Sequence, residues 1–248
     1  MKKLILVSCV SLLLTGCTTG KANIDDWTIT VGASSTPHAQ ILEQTKSYIE
    51  SKGYKLDIKV MNDYVTPNIS LRDGDLDANY FQHEPYLKEF NENYQTDIVS
   101  AGKVHFEPMT IFAGGKISSR KIVIPNDKSN NDRARALLES KKSKIALDLS
   151  VYEFIEAEAS TIPMLREDVS YIVVNGNYAL ESGLFEVATS IAREDTEDEI
   201  AQKMANIIAV RKGSENKSAI SVLLESLKQD NVKTFILEKY KGAVIPMF

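Results

Sequence analysis

The sequence predicts an α/β fold in which buried parallel strands are covered by helices. Short apolar strands alternate with helical segments along the chain, and the first of these crossovers is long enough to carry the chain back to the start of a parallel neighbour. A further observation concerns Ile98 to Ala113. This extended stretch is interrupted at Phe106-Glu107-Pro108-Met109 and is long enough to cross between two lobes.

Each element has a local reason. Trp27-Thr28-Ile29-Thr30-Val31-Gly32 alternates apolar and polar residues with period two, a strand. Ser34-Ser35-Thr36 supplies helix caps and Pro37 suits a first helical turn. Ile41, Thr45, Tyr48 and Ile49 then share a helical face, and Gly53 is a good residue just past the helix end. Leu56 to Val60 alternates again and completes a strand–helix–strand unit. Thr66-Pro67-Asn68 opens a short helix that stops near Gly74, Leu76 to Phe81 reads as a strand, and Pro85 to Asn91 as a helix. Lys121 to Ile124 is an apolar strand ending at Pro125-Asn126-Asp127, and a helix follows over Asn130 to Ser140. Ser170 to Val174 is a strand entering Asn175-Gly176-Asn177. Thr196-Glu197-Asp198-Glu199 is a capping-box pattern that opens a helix, and Ile207 to Val210 is a strand. Two helices with apolar faces close the chain, through Val222-Leu223-Leu224 and Phe235-Ile236-Leu237.

The N-terminus predicts export. Lys2 and Lys3 precede an apolar run, Leu4 to Leu14, that is too short to span a hydrocarbon core of ~30 Å and reads as a signal h-region. Leu14-Thr15-Gly16-Cys17 resembles a lipobox, so residues 1–17 form a lipoprotein signal whose Cys17 becomes the lipidated (palmitate-type) first residue. Residues 18–26 are a polar tether. The chain is thereby expected at the cell membrane, lipid-anchored and facing the extracytoplasmic side. Formal charge is −5, and removal of Lys2 and Lys3 takes it to −7. No basic patch stands out, which argues against nucleic acid as a partner. The only other cysteine, Cys9, lies within the signal, so the mature domain has no disulfide and no thiolate metal cluster.

In open α/β sheets, ligands collect at the carboxyl ends of strands. Those ends carry Asn62-Asp63-Tyr64, Tyr80-Phe81-Gln82-His83, Pro125-Asn126-Asp127 with Arg133 further on, and Asn175-Gly176-Asn177-Tyr178. Aromatics, amides, one imidazole and one guanidinium suit a small zwitterion with an apolar tail. Tyr64 and Phe81 would pack around the tail, where sulfur meets aromatic rings favourably. Arg133 would hold a carboxylate bidentately. Singly, each residue has a plainer reading: a core aromatic, a solvated helix arginine, a turn-forming asparagine. Only the set points to a ligand.

The segments Asn62-Asp63-Tyr64-Val65-Thr66-Pro67-Asn68 and Asp75 to Leu87 resemble the methionine-binding lipoprotein family (MetQ/NlpA type), as do Ile124-Pro125-Asn126-Asp127 and Val174 to Ala179. The resemblance spans almost the whole mature chain. It implies a two-lobed periplasmic-binding-protein fold of type II, each lobe a mixed, mostly parallel sheet flanked by helices. Residues 27–108 with 206–248 would form the first lobe and 109–205 the second. It implies a non-enzymatic, monomeric solute-binding protein of an ABC transporter, without cofactor, that captures L-methionine and delivers it to a permease with its ATPase. Carried over by position, Tyr64, Phe81 and His83 match the aromatic and imidazole lining, Arg133 the carboxylate-binding arginine, and Asn175 and Asn206 the polar ligand positions. Asp132 stands where the family has Gly, and would either compete for Arg133 or face solvent. The stretches from Gly115 to Lys121 and from Ser140 to Glu156 are short, trimming the second lobe. A methionine-containing dipeptide or another apolar amino acid is the alternative ligand. Two other classes are weaker. A zinc receptor would use His38, His83 and His105. An exported hydrolase would need a nucleophile, a base and an oxyanion site that no motif supplies.

Overall fold

Two mixed sheets organise the computed structural model, which describes residues 27–143, 147–196 and 199–248. The signal segment, Cys17 and the tether lie outside the described residues, as do Glu197 and Asp198 of the capping-box pattern. The first sheet contains β1 (Thr28–Ala33), β2 (Lys55–Val60), β3 (Ala78–His83) and β4 (Ile98–Phe106). The second contains β5 (Thr110–Ala113), β6 (Lys121–Pro125), β7 (Glu153–Ala157), β8 (Tyr171–Val174) and β9 (Ser190–Arg193). The chain then returns to the first sheet with β10 (Asn206–Arg211) and β11 (Ile245–Pro246). The strand orders are β11-β4-β10-β3-β1-β2 and β7-β6-β8-β5-β9.

Pairing is parallel for β2-β1-β3 and for β7-β6-β8, while β10 and β5 run antiparallel to both of their neighbours. β5 and β10 are the strands that the chain enters immediately after crossing between sheets; the short edge strand β11 also runs antiparallel to its neighbour β4. Strands β4 and β9 end at the crossing, so β5 and β10 must begin there and run away from it. The carboxyl ends of β1, β2, β3, β6, β7 and β8 consequently face one shared gap between the sheets.

Period-two alternation fixes which face each strand residue serves. On β10, Ile208 and Val210 join Ile29, Val31, Leu223, Leu227 and Ile236 in one core, whereas Ile207 and Ala209 join Leu71, Phe81, Leu87 and Phe90 in another. On β8, Ile172 and Val174 pack with Phe112 and Tyr178, and Val173 packs with Ile122, Ile124, Leu137 and Leu138. Each sheet is thus covered on both faces, and each fully buried Leu, Ile or Val contributes about 1.5–3 kcal/mol. Beyond the second crossing, Ala201 and Met204 pack with Phe106, Ile245 and Met247 at the edge of the first sheet.

Two local departures from the sequence reading have causes. The single helix expected after Pro37 is broken into Gln40–Glu43 and Lys46–Ser51, because the buried Thr45 hydroxyl donates back to Leu42 O at 2.7 Å and the helical run turns there. Strand β3 runs two residues later than expected, since Asp77 is still held in the approach to it, its N–H on Thr30 O and its carboxylate on Thr30 N–H.

Candidate functional site

Strand β3 is buried along its whole length and delivers His83 to the gap. His83 then caps the helix Glu84–Tyr94: its Nδ1 accepts from Tyr86 N–H at 3.2 Å. With Nδ1 an acceptor, the ring proton sits on Nε2 and points to Asn130 Oδ1, 3.1 Å away. Burial, assisted by the nearby Arg133 charge, holds the His83 pKa down at about 3, so the imidazole is neutral. Behind it, Gln82 exchanges hydrogen bonds with Asn68 and donates to Asn79, which ties β3 to the helix Thr66–Asp73.

On the opposite side, Asp127 caps the helix Lys128–Lys141. Its Oδ1 accepts both Asn130 N–H and Asn130 Nδ2–H at 2.9 Å. That fixes the Asn130 amide, and Asn130 Oδ1 receives Asn175 Nδ2 at 2.8 Å as well as His83. Asn175 Oδ1 and Asn177 Nδ2 are both buried without a hydrogen-bond partner. An acceptor and a donor left unmatched in the lining of one cavity are costly unless something else satisfies them.

Tyr64 closes the apolar side. Its ring lies 5.7 Å from Phe81, 5.6 Å from Tyr86 and 5.1 Å from Tyr178 between centroids, distances at which aromatic pairs attract. Its hydroxyl donates to Asn177 Oδ1 at 2.6 Å, and Tyr178 donates to Asn62 O at 3.3 Å. Elements of both sheets are therefore bonded directly across the gap.

Arg133 is 5 % exposed. Its Nε and Nη2 form a bidentate pair with Glu194 at 2.8 and 2.6 Å, and Nη2 also donates to Glu107 O at 2.9 Å. Of the two readings of Asp132, the solvent-facing one holds: Asp132 is 63 % exposed and pairs with Lys128 one helical turn away. Arg133 and Asp132 are adjacent on the helix and so point to different sides of it. The carboxylate that takes the guanidinium is Glu194, far away in sequence.

Glu107 lies at the first crossing and joins the gap to a buried polar cluster. Its Oε1 lies 2.6 Å from His105 Nε2 and 3.3 Å from His38 Nε2, and His38 Nε2 is 3.0 Å from Asn206 Oδ1. The Tyr80 hydroxyl bonds the other nitrogen of His105. Burial raises the Glu107 pKa to about 7 and lowers His38 to about 4 and His105 to about 3. Gly176 permits this approach, since a Cβ there would stand 2.6 Å from Glu107 Cβ. The three histidines do not converge as a zinc set. His83 bonds Asn130, while His38, His105 and Glu107 bring ligating atoms within 4.8 Å of one another, with His105 Nε2 bonded to Glu107 and His38 Nε2 to Asn206.

One cavity gathers all six residues nominated from the sequence: Tyr64, Phe81, His83, Arg133, Asn175 and Asn206. The cavity has a volume of about 20 Å³, room for roughly one water. The sequence reading missed Glu107, Asn130 and Tyr86 as lining residues. Glu107 had a signal, a carboxylate set among apolar residues directly before Pro108. Asn130 and Tyr86 had only their positions in the first turns of helices that begin at strand ends.

A family model described as NlpA lipoprotein matches residues 29–248. Methionine-binding lipoprotein MetQ of Bacillus subtilis is 35% identical over 245 residues, covering 88% of each chain. The solved structure of lipoprotein Tp32 from Treponema pallidum aligns with a TM-score of 0.78 at 31% identity, covering 88% of this chain and 98% of that one. A nutrient-binding protein from Burkholderia cenocepacia, solved bound to methionine, aligns with a TM-score of 0.79 at 28% identity, covering 89% and 100%.

Proposed function

The chain belongs to the NlpA lipoprotein family, and from that premise we propose that it is the solute-binding lipoprotein of an ABC importer that captures L-methionine between its lobes. Cys17 carries the lipid anchor, the mature chain faces the extracytoplasmic side as a monomer, and closed, loaded protein delivers its cargo to the permease and its ATPase.

The observation that carries this reading is the pair of unmatched buried amide atoms, Asn175 Oδ1 and Asn177 Nδ2. They lie beside Arg133 on one hand and the Tyr64–Phe81–Tyr86 aromatic group on the other. An α-ammonium would donate to Asn175 Oδ1. An α-carboxylate would accept from Asn177 Nδ2 and from Arg133 Nη1, which makes no hydrogen bond among the described residues. A thioether fits the aromatic wall. The cavity lining offers no Ser, Thr or Cys as a nucleophile. The Burkholderia cenocepacia relative with methionine bound supports the same ligand chemistry.

Calorimetry on delipidated protein, stripped of ligand by unfolding and refolding, tests the reading. L-Methionine should bind at one site per chain and more tightly than D-methionine, leucine or methionine-containing dipeptides. Scattering should show compaction on its addition, because a ligand touching both lobes favours the closed state by its differential affinity. Tighter binding of a dipeptide or of leucine would replace methionine as the ligand, and no binding of any of them would overturn the proposal.

A further inference from the structure

We propose that Glu194 is a positioning residue that sets how Arg133 meets the ligand carboxylate. This inference rests on the amino-acid reading of the cavity. Glu194 is 4 % exposed and follows β9, where the chain crosses back to the first sheet. Its two carboxylate oxygens take Arg133 Nε and Nη2, and Oε2 also accepts Met109 N–H at 2.8 Å. Its own N–H donates to Met109 O at 3.1 Å, and Arg133 Nη2 reaches Glu107 O. One carboxylate thereby ties the helix Lys128–Lys141 to both crossings.

Two consequences follow for recognition. The Nε–Nη2 edge of the guanidinium, the edge best shaped for a bidentate carboxylate, is already occupied. A ligand carboxylate is left with Nη1 and meets it end-on, together with Asn177 Nδ2. The guanidinium charge is also matched inside the protein, so the cavity presents oriented donors with little net charge. That arrangement favours a zwitterion, whose own charges cancel, over a free anion.

The test compares L-methionine with L-methioninamide, which lacks the carboxylate, on wild type, Glu194→Gln and Glu194→Asp. Glu194→Gln should weaken methionine binding by about tenfold or more and methioninamide by less than about threefold. Glu194→Asp keeps the charge but draws it back by one methylene, and should give an intermediate loss of the same preference. Without any ligand, the Arg133 Nε–H resonance should exchange slowly in wild type and rapidly in Glu194→Gln. Equal losses for both ligands, or none for either, would overturn the positioning role. If wild type shows the protected Nε–H but binds neither methionine nor its amide, the ligand reading fails while the Glu194 clamp stands. Should Glu194→Gln not fold, Glu194→Asp alone decides, since an unchanged methionine-to-amide ratio in it rejects the proposal.

Discussion

The Tyr64 hydroxyl donates to Asn177 Oδ1 across the gap between the two sheets, at 2.6 Å. Tyr64 follows the strand–helix–strand unit of the first sheet, and Asn177 lies in the first turn of the helix Gly176–Glu181 after β8 of the second. The bond fixes the amide of Asn177 so that its Nδ2 is the unmatched donor facing the cavity. A bond between elements of the two sheets and the orientation of a donor that lines the cavity are therefore achieved by the same contact.

Tyr64→Phe separates the polar role of this residue from its apolar one. The ring stays in the aromatic group, while Asn177 Oδ1 loses its partner in a buried place. Leaving such a group unsatisfied costs about 1–3 kcal/mol, so methionine binding should weaken roughly fivefold to a hundredfold or more. Calorimetry reads this directly. An affinity within about twofold of wild type would mean that the amide is held by something other than Tyr64.

Arg133→Ala and Asp132→Asn should behave very differently. Removing Arg133 strands Glu194 at 3 % side-chain exposure, and breaking a buried pair from one side typically costs 3–5 kcal/mol. Arg133→Ala should therefore lose both thermal stability and methionine affinity. Asp132→Asn touches only an exposed pair with Lys128, which is worth about 0–1 kcal/mol, and its methionine affinity should stay within about twofold of wild type. Tighter binding by Asp132→Asn would restore Asp132 as the competitor for the guanidinium.

The residues legible in the sequence are those that sit at strand ends and differ in chemistry from a core. Tyr64, Phe81, His83 and Asn175 follow or end apolar strands, and the sheet topology alone brings their positions to one gap. Arg133 was legible as a residue, but its partner was not. The link to Glu194 spans 61 positions and depends on how the two crossings lie against each other. The same is true of the cluster of His38, His105 and Glu107, which three separate segments assemble. Strands β7 and β9 escaped pattern reading for another reason. They are short and half exposed, and their apolar content follows from sheet pairing more than from burial on two faces. In the first lobe, the break at Thr45 was hidden because a buried threonine fits a helical face by spacing while its hydroxyl competes for the backbone.

Cys17→Ala tests the anchor independently of the cavity. A single acyl chain binds membranes marginally, and stable attachment takes more than one. The unmodified variant should appear in the soluble extracytoplasmic or culture fraction, with methionine affinity unchanged after purification. Retention of Cys17→Ala in the membrane as tightly as wild type would assign the attachment to another part of the chain.

The buried imidazoles predict how stability depends on pH. His38, His83 and His105 are held at about 4, 3 and 3, below the ordinary 6.5, in each case chiefly by burial. In the unfolded chain they bind protons below 6.5, so their contribution is complete above that pH and is lost as the pH falls toward 4 and below. Glu107 acts in the opposite sense. Burial raises it from 4.5 to about 7, so the folded acid retains a proton that the unfolded chain releases, and its effect lessens stability as the pH rises from 4.5 to 7. Asp127, raised by burial, adds to that opposition at the lower end. Between pH 4.5 and 6.5 three imidazoles outweigh these acids, and unfolding should take up a net one to two protons, each worth about 1.4 kcal/mol per pH unit. Urea melts across this range should show stability falling with acidification, and Glu107→Gln should make the slope steeper by about one proton because the main opposing group is gone. A stability that is flat or rises on acidification would mean that the imidazoles are charged in the folded protein, and that the neutral His83 pointing its Nε2–H at Asn130 is wrongly assigned.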